Sequence, residues 1–156
     1  MKEYRAVIGM LAGAAGGAVA IGIMEAFSTR AAIPLMAIPF ATSIVLVMGS
    51  PEVEAAQPRA LVGGHIVATI VGLIVVKVAG PEPWAAAVAV GLSIMAMHLT
   101  RTFHPPAGID PLLVVVNNMS WSFLLVPVAV GAILLALFAF IWHLLIRRYS
   151  WPTRWW

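Results

Sequence analysis

Residues 84–118 read WAAAVAVGLSIMAMHLTRTFHPPAGIDPLLVVVNN, and this stretch decides the fold. Trp84 to Leu99 is an apolar run without a charged residue. It stops at a polar break, Thr100 to Pro106, and restarts as a short run from Ala107 to Val116 that ends on Asn117 and Asn118. A helix that crosses the hydrocarbon core of a bilayer needs roughly 20 apolar residues. The first run approaches that length. The second is too short to cross as one clean helix, so it is a half-helix or the core of a broken span. Proline is favoured in the first turn of a helix, where its missing N–H has no partner to lose, so Pro105 or Pro106 is expected to open it.

Outward from this stretch the pattern repeats. Further apolar runs cover Ala6 to Phe27, Ala31 to Met48, Ala60 to Val78 and Trp121 to Ile146. The runs are continuous and do not alternate, which marks them as helices. Over the whole chain 62% of residues are apolar, 10% are charged and the mean hydropathy is +1.01. Soluble domains carry roughly a quarter charged residues, so this chain lacks the charge to cover a water-facing surface. Only helices or closed barrels satisfy the backbone in lipid. The fold class expected is therefore all-α, a polytopic transmembrane bundle forming a single domain over residues 1–156. The lipid bilayer is its first partner. The net charge of +3 comes from basic residues at run ends, which are topology signals and imply no nucleic acid. Without cysteine there is no disulfide, thiolate chemistry or Cys-based zinc site. No cofactor is called for. No cleavable signal precedes the first run, which favours insertion into a bacterial inner membrane.

Charge bias sets the number of crossings. With six crossings and an internal N-terminus, Lys2, Arg5, Arg59, Arg101, Arg147, Arg148 and Arg154 lie inside, while Arg30 and Lys77 lie outside. With five crossings the last three arginines move out and the bias disappears. The positive-inside rule favours six, with both termini cytoplasmic. An internal repeat agrees. Displaced by 71 residues, Ala14–Ile38 and Ala85–Ile109 are identical at ten of 25 positions, including Thr29-Arg30 against Thr100-Arg101 and Pro34 against Pro105. The repeat halves cover about 6–79 and 80–146. Each holds three membrane elements, an odd number, so the halves are expected to be inverted relative to each other, as in many transport folds. An old duplication kept for packing is the other reading. Gly9, Gly13 and Gly17 form a small-residue ladder that lets another backbone approach, with packing inside the chain favoured. The tail from Arg147 to Trp156 reads as an interfacial anchor.

The densest polar constellation is Thr100 to Gly108. Arg101 and His104 sit beside the expected start of a half-helix, whose free N–H groups carry partial positive charge. That combination suits an anion. Equally, Arg101 is a topology residue and His104 a cap. His65 stands about one turn inside the third helix, where an ionisable group needs a partner or water, so it is either a site residue or a satisfied packing histidine. Arg59 by itself reads as a basic flank of the third helix. Asp110 opposes an anion unless it pairs with Arg101 or His104 or shuttles a proton. Glu25 is expected to pair with Arg30 or Lys77. Asn117 and Asn118 line the path or cap the short helix. His98 and His143 are treated as packing or interface residues. No phosphate-binding Gly-rich loop, His-Glu-x-x-His or Gly-x-Ser-x-Gly motif occurs, so the chain is not expected to be an enzyme.

His104-Pro105-Pro106, within Leu-Thr-Arg-Thr-Phe-His-Pro-Pro-Ala-Gly, resembles the signature of the HPP family of integral membrane proteins. Gln57-Pro58-Arg59, Gly63-Gly64-His65 and Ala85 to Gly91 extend the resemblance upstream, over about Pro39 to Leu145. The family is described with four transmembrane segments, against the six elements counted above. Cyanobacterial and chloroplast relatives are associated with nitrite transport. The resemblance therefore implies passage of a small inorganic anion, nitrite first, with Arg101, His104, Pro105, Pro106, Gly108, His65, Arg59 and Asn117 as the substrate-binding set. The chain is small for a complete pathway, so a homo-oligomer is expected. The rivals are a transporter of another small solute, a cation or a proton-coupled metabolite, and a non-transporting scaffold or sensor subunit.

Overall fold

The computed structural model describes residues 2–31 and 37–155. Among these described residues six helices follow in order: α1 (Lys2–Ala31), α2 (Ile38–Gly49), α3 (Pro58–Ala79), α4 (Pro83–Leu99), α5 (Ile109–Val116) and α6 (Trp121–Arg147). Among the described residues there is no strand. Among the described residues three helices, α1, α3 and α6, are long and apolar enough to cross a membrane. At 1.5 Å per residue the 22 residues of α3 span about 33 Å. By the same rise the 12 residues of α2 reach only about 18 Å. The second apolar run is thus helical only from Ile38 within the described residues, and Pro34 lies outside them.

Proline sets several boundaries. Pro58 and Pro83 open α3 and α4 in the first turn, where no N–H is needed. In α6 the ring of Pro127 removes an N–H, and the residue before it, Val126, is pushed out of helical geometry to φ −134°, ψ 119°. The helix widens over Leu124–Ala129 to accommodate this break. Two helix ends use the same left-handed device. The Thr102 N–H donates to the Met97 carbonyl and the Arg101 N–H to that of His98, with Arg101 at φ 57°. At the end of α5, the Met119 and Asn118 N–H groups donate to the Val114 and Val115 carbonyls, with Asn118 at φ 48°. Both are Schellman endings.

Two apolar clusters hold the bundle. Phe40, Ile44, Val47 and Met48 of α2 pack with Leu61 of α3, Leu135 and Ala139 of α6, and Trp151 of the tail. Leu73 and Val76 of α3 pack with Ala85 and Ala89 of α4, Val114 and Val115 of α5, and Phe123 and Val128 of α6. Gly13 belongs inside the chain, because a Cβ there would stand 2.6 Å from the Met48 carbonyl oxygen. The tail departs from a simple interfacial anchor. Trp151 is buried in the first cluster, and Arg147 donates to the Met48 carbonyl at 2.9 Å. Among the described residues no ion pair joins Glu25 to Arg30 or Lys77. Each of these side chains stands exposed.

The 71-residue offset carries through to the elements. Ile38 and Ile109, which open α2 and α5, stand at that spacing. The third helix of each half packs into the other half, α3 against α4 and α5, and α6 against α1 and α2.

Candidate functional site

Along α3, His65 and Thr69 are four residues apart and share one face, between Leu61 in the first cluster and Leu73 in the second. On that face Gly64 brings the connector after α4 against the helix. A Cβ on Gly64 would lie 2.6 Å from the His104 Cβ and 2.9 Å from the Thr102 carbonyl oxygen. The close approach draws His104 into the interior, where it is fully buried. Ser43 of α2 and Asp110 of α5 are fully buried beside it.

These side chains form one continuous chain of hydrogen bonds. Asp110 Oδ2 lies 2.7 Å from His65 Nδ1 and accepts from Thr69 Oγ1 at 3.3 Å. His65 Nε2 lies 2.8 Å from Ser43 Oγ, and Ser43 Oγ lies 2.8 Å from His104 Nε2. His104 Nδ1 donates to the Ala55 carbonyl at 2.6 Å. Phe40 covers one side of His65, with ring centroids 4.8 Å apart. Buried polar groups are tolerated when paired, and here five helical or connecting segments supply the pairs.

A second feature lies where the connector meets the start of α3. Glu54, Gln57, Arg59, Arg101, Arg154 and Trp155 border a cleft of about 220 Å³. An adjoining cleft of about 370 Å³ shares Glu54 and Arg101 and adds Ala55, His98 and Phe103. Gln57 explains how Arg154 arrives. Its Nε2 donates to the Pro51 carbonyl at 2.8 Å, and its Oε1 accepts from the Thr153 N–H at 2.9 Å, which fastens the tail over the cleft. Arg59 donates to the Thr100 carbonyl at 3.0 Å, at the negative end of α4. His98 and Phe103 stack at 4.2 Å.

The eight residues expected to bind substrate are therefore divided. Arg59 and Arg101 meet at the basic cleft, joined by Arg154, which the tail-anchor reading had set aside. His65 and His104 lie in the buried chain instead. His104 does not stand beside Arg101 at a solvated helix end, because Gly64 lets it sink against α3. Nor do the three residues after His104 offer free donors. Pro105 and Pro106 have no N–H, and the Ala107 N–H is bonded to the His104 carbonyl. Pro105 and Pro106 border a separate, largely apolar opening with Val45, Leu46 and Ile109. Gly108 has no close neighbour that would require glycine. Asn117 is exposed at the other end of α5 and donates to the Leu113 carbonyl at 2.9 Å, so it caps that helix and is not at the site. Asp110 pairs with His65, and not with Arg101 or His104. Ser43 and Thr69 were not anticipated. Thr69 carried a signal, the four-residue spacing from His65, whereas Ser43 carried none. Among the described residues no three His, Cys, Asp or Glu side chains are placed to hold a metal.

Apolar helices around a hydrogen-bonded polar interior, with a basic cleft at one end, define a polytopic helical membrane protein. Within that class the chain belongs to the HPP transmembrane-region family, which matches residues 2–152. It is similar to two transmembrane proteins of Dictyostelium discoideum, 39% and 36% identical over 125 residues. The matched region is 75% of this chain but 40% and 44% of those relatives, so the chain spans less than half their length. No solved structure matches it.

Proposed function

We propose that this chain is a transporter or channel for a small monovalent anion, with nitrite the leading candidate. One observation carries the reading: Arg59, Arg101 and Arg154 converge on a single small cleft that holds one carboxylate, Glu54. Arginine keeps its charge at any accessible pH and presents donors in a planar fork that matches the oxygens of nitrite, nitrate or formate. The surplus of positive charge raises the local anion concentration at the mouth.

The backbone at Arg101 supports the same reading. A non-glycine residue at φ 57° costs on the order of 1 kcal/mol. At that position glycine is the unstrained choice, and the arginine that stands there instead borders the cleft. The exchange of third helices between the halves supports an inverted repeat, and the charge bias supports both termini cytoplasmic, with the inner membrane of a bacterium as the proposed location. The apolar outer faces of the bundle leave room for a second copy, and a homo-oligomer completes the proposal. The direct test is uptake of nitrite, nitrate, formate and chloride into proteoliposomes across pH. Uptake above empty vesicles for at least one of the four is expected. Flux indistinguishable from empty vesicles for all of them would refute the reading.

A further inference from the structure

We infer that Asp110, His65, Ser43 and His104 form a relay for one proton through the interior of the bundle, and that anion passage is coupled to it. The coupling rests on the anion reading above; the relay rests on the hydrogen-bond chain. A carbonyl oxygen only accepts, so His104 Nδ1 must carry the hydrogen it gives to Ala55. The remaining bonds then fix how many protons the chain holds.

Consider Asp110 ionised with both histidines neutral. Ser43 has one hydrogen to share between two imidazole Nε2 atoms, at 2.8 Å each. If it donates to His104, His65 must donate to Ser43 through Nε2, and a bare Nδ1 then faces the Asp110 carboxylate at 2.7 Å. If His65 donates to Asp110 instead, a lone pair faces Ser43 at one histidine or the other. One link is always broken. A single added proton repairs every link, and it does so in three ways. It can sit on Asp110, with His65 donating through Nε2. It can make His65 an imidazolium that donates to both Asp110 and Ser43. It can make His104 an imidazolium that donates to both Ala55 and Ser43.

These arrangements interconvert without moving a heavy atom far. His65 passes its Nε2 proton to Ser43 Oγ while Ser43 passes its own to His104 Nε2. One O–H bond breaks as another forms, His65 becomes neutral, His104 becomes the cation, and total charge is conserved. At the Asp110 end, Oδ1 is buried and meets no protein donor among the described residues, so the chain keeps a free acceptor there. At the other end Ala55 borders the cleft that contains Arg101; its carbonyl carries no proton onward, so the proton leaves when the His104 Nδ1–H bond to Ala55 opens and Nδ1 gives its hydrogen to water in that cleft. The titratable groups facing the relay are its own: Asp110 from α5, His65 from α3 and His104 from the connector. Ser43 and Phe40 of α2 and Thr69 of α3 close the remaining sides. Arg59 points elsewhere, to the Thr100 carbonyl. Ser43, His65 and Asp110 are also in the order of a hydrolytic triad. Ser43 is completely buried between two imidazoles, which suits passing a proton and leaves no space for an acyl group.

Asp110→Asn is the informative variant. An asparagine amide can donate to His65 Nδ1 as a protonated carboxyl does, so every bond in the chain is kept, but the group cannot release a proton. The experiment uses the full chain in proteoliposomes with a pH-sensitive dye in the lumen and the membrane potential clamped by potassium and valinomycin. Exchange of isotopically labelled nitrite at equal nitrite and equal pH reports anion passage alone. Lumenal acidification driven by a nitrite gradient, after subtraction of empty vesicles, reports coupling. Wild type should show both. Asp110→Asn should keep exchange within about twofold and lose acidification at least tenfold. Ser43→Ala, a small change that cuts the middle of the chain, should do the same and serves if the first variant does not fold. Wild-type exchange without acidification, or acidification retained by either folded variant, would overturn the relay and leave anion passage standing. No wild-type exchange of nitrite, nitrate, formate or chloride would overturn the anion reading, and the coupling with it.

Discussion

Arg101 occupies the position in a Schellman ending where glycine is commonest, and its φ of 57° places its Cβ against the following carbonyl. Arg101→Gly should therefore raise thermal stability by about 1 kcal/mol or leave it unchanged, because the backbone relaxes while a cleft-facing side chain is lost. A fall in melting temperature would show that the guanidinium holds the fold together. Gly64 presents the opposite case. A Cβ there would stand 2.6 Å from the His104 Cβ, and the connector cannot retreat without opening the buried chain. Gly64→Ala should cost about 1–3 kcal/mol. Gly91→Ala, on a face of α4 with nothing within 4 Å, should be neutral or stabilising by up to about 1 kcal/mol. Thermal unfolding in detergent compares the three directly. Asp110 separates polarity from charge. Asp110→Ala strands the His65 ring nitrogen and should cost about 1–3 kcal/mol, whereas Asp110→Asn should cost much less.

Helix positions were largely legible in the sequence because lipid demands long apolar runs and proline marks their starts. The short helix after His104-Pro105-Pro106 and the 71-residue offset came from the same signals, and the offset reappears in the matched starts of α2 and α5. What escaped was three-dimensional. Ser43 sits in an apolar stretch of α2 with no spacing that ties it to a histidine 22 residues later. Asp110 looked like a partner for Arg101 or His104 because they are near in sequence, yet α3 brings His65 closer. Arg154 read as a tail anchor because nothing local says that Gln57 fastens the tail. That fastening gives an element-scale prediction. Gln57→Ala removes the acceptor at 2.9 Å from the Thr153 N–H and should free residues 150–155. Limited proteolysis of the tail should accelerate in the variant. An unchanged cleavage rate would mean that Trp151, buried in the first cluster, holds the tail alone.

At the scale of the molecule, a basic cleft, a polar interior and an apolar exterior share one small bundle. The proposed topology, argued from the charge bias, has both termini on the cytoplasmic side. Single cysteines near Lys2 and Arg154 should thus resist an impermeant thiol reagent in intact cells, and labelling at one end only would remove the six-element topology. The central claim is anion passage through the arginine cleft, and nitrite uptake by matched proteoliposomes tests it most directly. Arg101→Gln retains hydrogen-bond donors but loses the fixed charge, so uptake should fall at least tenfold relative to wild type. Arg148→Gln, exposed and away from the cleft, is the control and should leave uptake unchanged. Wild-type uptake by a well-folded Arg101→Gln protein would contradict the account.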